Sequence, residues 1–469
     1  MTFSNNYAQN KHILKQALRI DDSFDLICKD TTIGDRNACF FFVDGMTKDE
    51  VMQKLLSGFY TIQAQDMPGN AFDFSTKQLP YIEVDVLNSL EQTITSILSG
   101  MTALLIDGYD AAICMDVRTY PARSVDQPEK EKVLRGSKDG FVETIVFNTA
   151  LIRRRIRDPK LTMEMLSVGS VSHTDVVLCY LDGTVDRNLL NYVHKKLHNI
   201  KAKSLNMNQT SLAECLYERK WYNPFPKYKY TERPDTSAAS IMEGSLVILV
   251  DTSPSAIILP TSLFGIMEEA DDYYLPPITG TYLRLTRFLI SAITFFITPT
   301  FLLLTMYPEW IPEWLSFIEL QEYTNVPLMF QFLILEIAID GLRLAAVNTP
   351  SMLSTPLSII AGLALGEYAV SSGWFNSEAM LYMAFVALAN YTQPSYELGY
   401  ALKFFRMITV ILTGFFGLFG LIAGTVILLI ALLSNHTIDG RRRYLYPLIP
   451  FDWKVLKRQL LRLRRDENS

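Results

Sequence analysis

The chain has 469 residues, 49% of them hydrophobic and 20% charged, and a net charge of −6. That length exceeds a single ordinary core and predicts several domains. The charged share falls below the quarter usual for soluble proteins, and the acidic balance points away from nucleic acid as a partner. The average hides an asymmetry. Residues 1–280 read as ordinary polar protein, residues 288–438 are poor in charge and rich in Leu, Ile, Phe and Ala, and the tail from Arg441 is basic.

Residues 1–24 are a polar extension with no apolar signal segment between Met1 and Lys11, so the first half of the chain is expected to stay in the cytosol. Its five cysteines, Cys28, Cys39, Cys114, Cys179 and Cys215, form no CxxC pair and read as reduced thiols.

This half is duplicated. Cys39-Phe-Phe-Phe-Val-Asp-Gly45 precedes an amphipathic helix to about Tyr60, and Val177-Leu-Cys-Tyr-Leu-Asp-Gly183 precedes another to about Ile200, with 138 residues between the two Asp-Gly pairs. Ser99–Asp107 and Glu243–Asp251 match in the same way, 144 residues apart. An apolar run ending in Asp-Gly and leading into a helix reads as a buried strand entering a βα unit. The fold class is therefore an α/β soluble half of two similar subdomains, 25–122 and 165–270, joined by a helical linker, 123–164. The linker ends in Arg153, Arg154, Arg155 and Arg157. That cluster suits a phosphate or lipid, but ion pairing within the fold is favoured.

Catalytic patterns are scarce. His194 and His198 stand at i, i+4 without a third ligand, and Lys195 and Lys196 lie between them, so a solvated face is preferred to a metal pair. Asp44, Asp107, Asp182 and Asp251 each follow an apolar strand, where Asp commonly caps a turn. No P-loop, GxGxxG, HExxH or GxSxG occurs. No enzymatic activity, cofactor or metal is expected.

The second half, 285–438, is expected to be an all-α polytopic membrane domain of four or five spans. Phe288–Tyr307 is a 20-residue stretch without charge, long enough for a hydrocarbon core of about 30 Å. Arg284 and Arg287 precede it and an acidic loop follows, which puts the arginines on the cytosolic side. The next apolar stretch carries Glu336, Asp340 and Arg343, at spacings that allow pairing among themselves. A helix from Pro356 to Trp374 would place Ser358 and Gly362 on a small-residue face and Glu367 nearly opposite. A carboxylate at that depth needs a partner or a polar cavity. Glu367, Ser358, Gly362, Glu336, Asp340 and Arg343 are therefore the pore or cavity candidates.

The last apolar run, Met407–Ile438, is too long for one simple crossing, and basic residues flank it at both ends. It is either long and tilted or broken at its glycines. Gly417, Gly420 and Gly424 share a helical face suited to close helix packing. The tail, 439–469, has nine Lys or Arg against three acids from Arg441 onward, which suits the cytosolic side and anionic lipid.

Several motifs in order resemble the A-subunit family of the GerA-type spore germinant receptors. They are Asn148-Thr-Ala-Leu-Ile-Arg-Arg-Arg-Ile156, Asn223-Pro-Phe-Pro226, Thr231-Glu-Arg-Pro-Asp235, Asp272-Tyr-Tyr274, Tyr282-Leu-Arg-Leu-Thr-Arg-Phe288 and Tyr446-Pro-Leu-Ile-Pro450. Where the family carries a Gln, this chain has Glu367. The resemblance implies the spore inner membrane and a homo-oligomer working with other membrane subunits of the germination machinery. It also implies conduction of monovalent cations. A non-conducting scaffold, or a transporter of ions or dipicolinate, is the alternative.

Overall fold

The apolar run that ends at Asp44-Gly45 becomes an inner strand, and its counterpart before Asp182-Gly183 takes the same place in a second sheet. The computed structural model describes residues 2–119, 131–133, 135–217, 220–320, 324–348, 362 and 368–462. They divide into two compact units, Met1–Glu218 with Tyr228–Pro260, and Arg219–Lys227 with Thr261–Ser469.

The first unit opens with α1 (Tyr7–Leu18), β1 (Leu26–Ile33), β2 (Arg36–Val43), α2 (Asp49–Phe59) and α3 (Ala71–Lys77). It continues with β3 (Val84–Leu87), α4 (Leu90–Leu98), β4 (Thr102–Ile106) and β5 (Ala112–Met115). After α5 (Ile145–Arg155) the series recurs as β6 (Leu161–Val168), β7 (Thr174–Leu181), α6 (Arg187–His198), α7 (Asn208–Leu216) and β8 (Lys229–Thr231). It closes with α8 (Pro234–Met242), β9 (Leu246–Val250) and β10 (Ala256–Leu259). The sheets have the equivalent orders β1-β2-β4-β5-β3 and β6-β7-β9-β10-β8. Even the turn bonds repeat. The Asp44 N–H donates to the Asp25 carbonyl at 2.8 Å and the Asp182 N–H to the Lys160 carbonyl at 2.9 Å. Asp107 and Asp251 repeat the pattern with Asn37 and Asp175.

Every strand pair in both sheets is antiparallel. The continuous apolar runs reflect burial of both faces rather than parallel βα geometry. Cys39, Phe41 and Val43 pack under Leu14, Leu18, Ile97 and Leu98 of α1 and α4. On the opposite face Phe40, Leu104 and Ile113 meet Met52, Phe59 and Phe74 of α2 and α3. The segment 1–24 thus holds a helix whose Leu14 and Leu18 enter the core. Strand β6 begins at Leu161, inside the segment expected to be linker.

The arginines of α5 serve the fold. Arg153 is wholly buried and grips both oxygens of Asp25, at 2.7 and 3.0 Å, and also donates to the Ser23 hydroxyl and the Leu161 carbonyl. Arg155 pairs with Asp139 at 2.6 Å. The carboxyl of Asp139 is pushed up by its burial, yet Arg155 and Ser137 hold it below the usual range.

The second unit contains α9 (Leu263–Ile266), α10 (Asp271–Tyr274), α11 (Pro277–Met306), α12 (Leu328–Asn348) and α13 (Tyr368–Ser371). It ends with α14 (Ser377–Tyr391), α15 (Tyr396–Phe416), α16 (Leu418–Leu433) and α17 (Trp453–Leu460). Among the described residues, α11 and α15 are long and apolar enough to cross a membrane, and α16 is apolar but shorter. Helix α12 has 21 residues but carries Glu336, Asp340 and Arg343.

The long run Met407–Ile438 is broken at Gly417, whose φ of 54° and ψ of −130° end α15 and start α16. The two helices then pack antiparallel. A Cβ on Gly420 would collide with the Leu412 carbonyl oxygen, and one on Gly424 would collide with the Thr409 hydroxyl. Gly417 is therefore the hinge, and Gly420 and Gly424 are where the two backbones meet.

Candidate functional site: buried charges among apolar helices

Helix periodicity sets this site. Glu336 and Asp340 are one turn apart on α12, and Lys403 and Arg406 are three residues apart on α15, so each pair lies on one face of its helix. The faces meet. The Arg406 Nε donates to Glu336 Oε1 at 2.9 Å and its Nη2 makes a second bond to the same oxygen. Lys403 Nζ lies 3.2 Å from Glu336 Oε2 and also pairs with Asp340. A third helix joins through the Thr294 carbonyl of α11, which accepts from Arg406 Nη1 at 3.2 Å. Glu336, Lys403 and Arg406 are all buried, whereas the Asp340 side chain keeps 34% of its surface exposed. Two carboxylates and two cations sum to zero, which lowers the cost of holding them away from water.

This differs from pairing within α12. Arg343 joins neither carboxylate in the described ion pairs. Its guanidinium lies over the rings of Tyr391, Tyr400 and Tyr396, with centroids at 5.0, 5.6 and 6.0 Å. Stacking of this kind is attractive where water is scarce. A cavity of about 10 Å³, room for roughly one water, opens between Arg343, Asn390, Tyr396, Gly399, Tyr400 and Lys403. Gly362 is exposed, and a Cβ placed on it would meet no atom within 4 Å. Glu367 and Ser358 lie outside the described residues.

Neutral groups extend the polar tract. Gln331, fully buried on α12, donates to Thr324 and to the Val326 carbonyl and accepts from the Asn376 N–H at 2.9 Å. Gln393 donates to the Ser291 hydroxyl at 2.9 Å, tying the α14–α15 turn to α11. Polar residues scattered through an apolar run signal such ties, but Asn376 lies 45 residues from Gln331 and Ser291 lies 102 from Gln393, so the sequence does not pair them.

A second charge cluster stands at the start of α11. Asp272 is fully buried and receives Arg284 Nε at 3.2 Å and Arg287 Nη1 at 3.1 Å. Glu268 and Glu269 pair with the same two arginines. Arg284 and Arg287, which read from sequence as membrane-flanking charges, are thus enclosed in an ion-pair network. At the end of α16, Lys227 bonds to Asn435 and to the His436 carbonyl. Burial, and then Lys220, pushes its ammonium down to about 8.

The candidates of the sheet unit make local contacts. The His194 Nε2 faces Glu164 at 2.9 Å, and the His198 Nδ1 meets the His194 carbonyl. Asp251 accepts the Ile145 N–H, and Asp44 accepts the Gly45 N–H, as turn residues do.

Comparison with known proteins gives consistent relatives. The Bacillus/Clostridium GerA spore germination protein family matches residues 12–468. Stage V sporulation protein AF of Bacillus subtilis (strain 168) is 37% identical over 459 residues, covering 97% of this chain and 92% of the relative. Spore germination protein A1 of the same organism is 32% identical over 349 residues, covering 74% of this chain and 72% of the relative. Among solved structures, the N-terminal domain of the A subunit of the Bacillus megaterium spore germinant receptor GerK3 is 24% identical. The match covers 55% of this chain and 96% of that chain, with a TM-score of 0.42.

Proposed function

The chain belongs to the Bacillus/Clostridium GerA family of spore germination proteins, and from that premise we propose that it is an ion-conducting membrane subunit of a germination assembly. On this reading it sits in the spore inner membrane as a homo-oligomer, with the sheet unit and the basic tail on the cytosolic side. It works beside other membrane subunits, and the basic helix α17 rests on anionic lipid. Monovalent cations are the conducted species.

The observation that carries this reading is the polar tract among apolar helices. Glu336, Asp340, Lys403, Arg406 and the Thr294 carbonyl gather from α11, α12 and α15. Ionisable groups at such depth commonly mark ion pathways. Asp340 is the least buried member and is the natural group to face a path. One observation favours a second reading, a non-conducting scaffold: Glu336 is already neutralised by two cations, as a purely adhesive contact would be.

Potassium efflux from liposomes separates the two. Purified protein is reconstituted at known oligomeric state, and wild type is compared with Asp340→Asn and Glu367→Gln. Conduction predicts efflux from wild type that at least one substitution changes severalfold while assembly is intact. Assembled wild-type protein that releases no potassium, alone or with partner subunits added, supports the scaffold.

A further inference from the structure

The two repeats share strand order, register and turn bonds, so positions that differ sharply between them are not dictated by the fold. One such set lies on the first hairpin. Asp30 pairs with Cys39 across β1 and β2, and Cys28 pairs with Phe41, so Cys28, Asp30 and Cys39 project from one face. Their sulfur and carboxylate atoms all lie within 4.8 Å of one another. The equivalent register in β6 and β7 is occupied by Met163, Met165 and Val177. A bare packing role therefore accepts apolar residues at all three places.

We propose that Cys28, Asp30 and Cys39 form a binding site for a thiophilic divalent cation, with zinc the ion that their donor chemistry fits. Two thiolates and one carboxylate are a borderline-soft set of the kind zinc takes, and three protein ligands leave a fourth position for water. With zinc–sulfur bonds of about 2.3 Å, tetrahedral ligand atoms stand about 3.7 Å apart, so side-chain movement of about 1 Å closes the set. The site is accessible, because β1 is an edge strand and Asp30 is exposed. It is also anchored, because Cys39 is fully buried.

The surroundings suit the charge. Lys11 on α1 pairs with Asp30. Zinc with two thiolates and one carboxylate carries a net charge of −1, which the Lys11 ammonium balances. Binding releases the two thiol protons to solvent and changes no oxidation state. A bound ion would fasten α1 to the hairpin, since Tyr7 and Lys11 lie over the same face.

The test is a cobalt titration of the full-length protein, solubilised in detergent, reduced and freed of metal with a chelator. One equivalent of Co²⁺ is expected to give thiolate-to-cobalt charge transfer and the visible bands of a tetrahedral site, both abolished by added Zn²⁺. Asp30→Asn changes only an exposed side chain and is expected to weaken binding at least tenfold. Cys28→Ser removes most of the charge-transfer band, and Cys215→Ser leaves it intact. The proposal is overturned if folded wild type gives no such spectrum or if Cys28→Ser leaves it unchanged. It also fails if mass spectrometry finds Cys28 and Cys39 joined as a disulfide under the reducing conditions used.

Discussion

Both units bury an arginine against a carboxylate, and they satisfy it by different means. In the sheet unit Arg153 holds Asp25 but also draws on the Ser23 hydroxyl and the carbonyls of Leu161 and Asp158. Loops at strand ends leave such groups free to accept. Arg284 and Arg287 of the helical unit likewise reach the carbonyls of Gln459 and Met267, at 2.8 and 2.9 Å, but in the middle of α12 and α15 the backbone is largely consumed by its own i→i−4 bonds. Arg406 and Lys403 are met mainly by side chains of another helix, with help from the Thr294 and Glu336 carbonyls. Where the backbone has little to offer, a buried charge must find its opposite on a neighbour, and the pair then acts as helix adhesive.

The sharpest way to break this comparison is Glu336→Leu. Among the described residues it leaves Arg406 and Lys403 with Asp340 as the remaining paired carboxylate, and it should cost about 3–5 kcal/mol. Thermal melting in detergent reads the loss. Pairing the change with Arg406→Leu should restore at least half of it, because replacing both partners removes the uncompensated charge. Recovery that fails to appear would mean that Arg406 acts elsewhere.

Arg153→Met should cost less, about 2–3 kcal/mol, because Asp25 keeps its bond from the Ser23 hydroxyl. Chemical denaturation followed by the fluorescence of Trp221 would not isolate this unit, so hydrogen exchange of the β1–β2 and β6–β7 amides is the suitable measurement. Equal protection in mutant and wild type would sink the claim that Arg153 serves the fold of this unit.

Gly420→Ala probes the helical unit without touching a charge. The added Cβ meets a backbone oxygen, which cannot rotate away, so α15 and α16 must separate. A cost of about 1–3 kcal/mol is expected. Thermal melting in detergent should show the loss against wild type. An unchanged melting temperature would show that the hairpin tolerates the methyl.

How much of this was legible follows from where each partner lies. The repeat could be read because its signal is local: a six-residue run, Asp-Gly, then a helix. Strand direction could not, since an antiparallel strand covered on both faces has the same composition as a parallel one. Helix α1 was hidden because only Leu14 and Leu18, with the buried Asn10, turn inward from a polar segment. The charges on α12 were visible, but their spacing suggested each other as partners, whereas the true partners stand 67 and 70 residues on. Gly417 looked like its neighbours Gly420 and Gly424, and only its positive φ separates a hinge from a packing surface. The Cys28 and Cys39 thiols are 11 residues apart in sequence, and only the strand register brings them to one face.

The break at Gly417 also bears on the parity of the proposed membrane topology. Two antiparallel legs of 21 and 16 residues, about 31 and 24 Å, turn the chain back on itself. If both legs cross, as the proposed topology has it, the pair adds an even number to any count of crossings. Ser395 and the arginines at 441–443 would then share a compartment, and lengthening or shortening either leg would not change that; only straightening the hinge would.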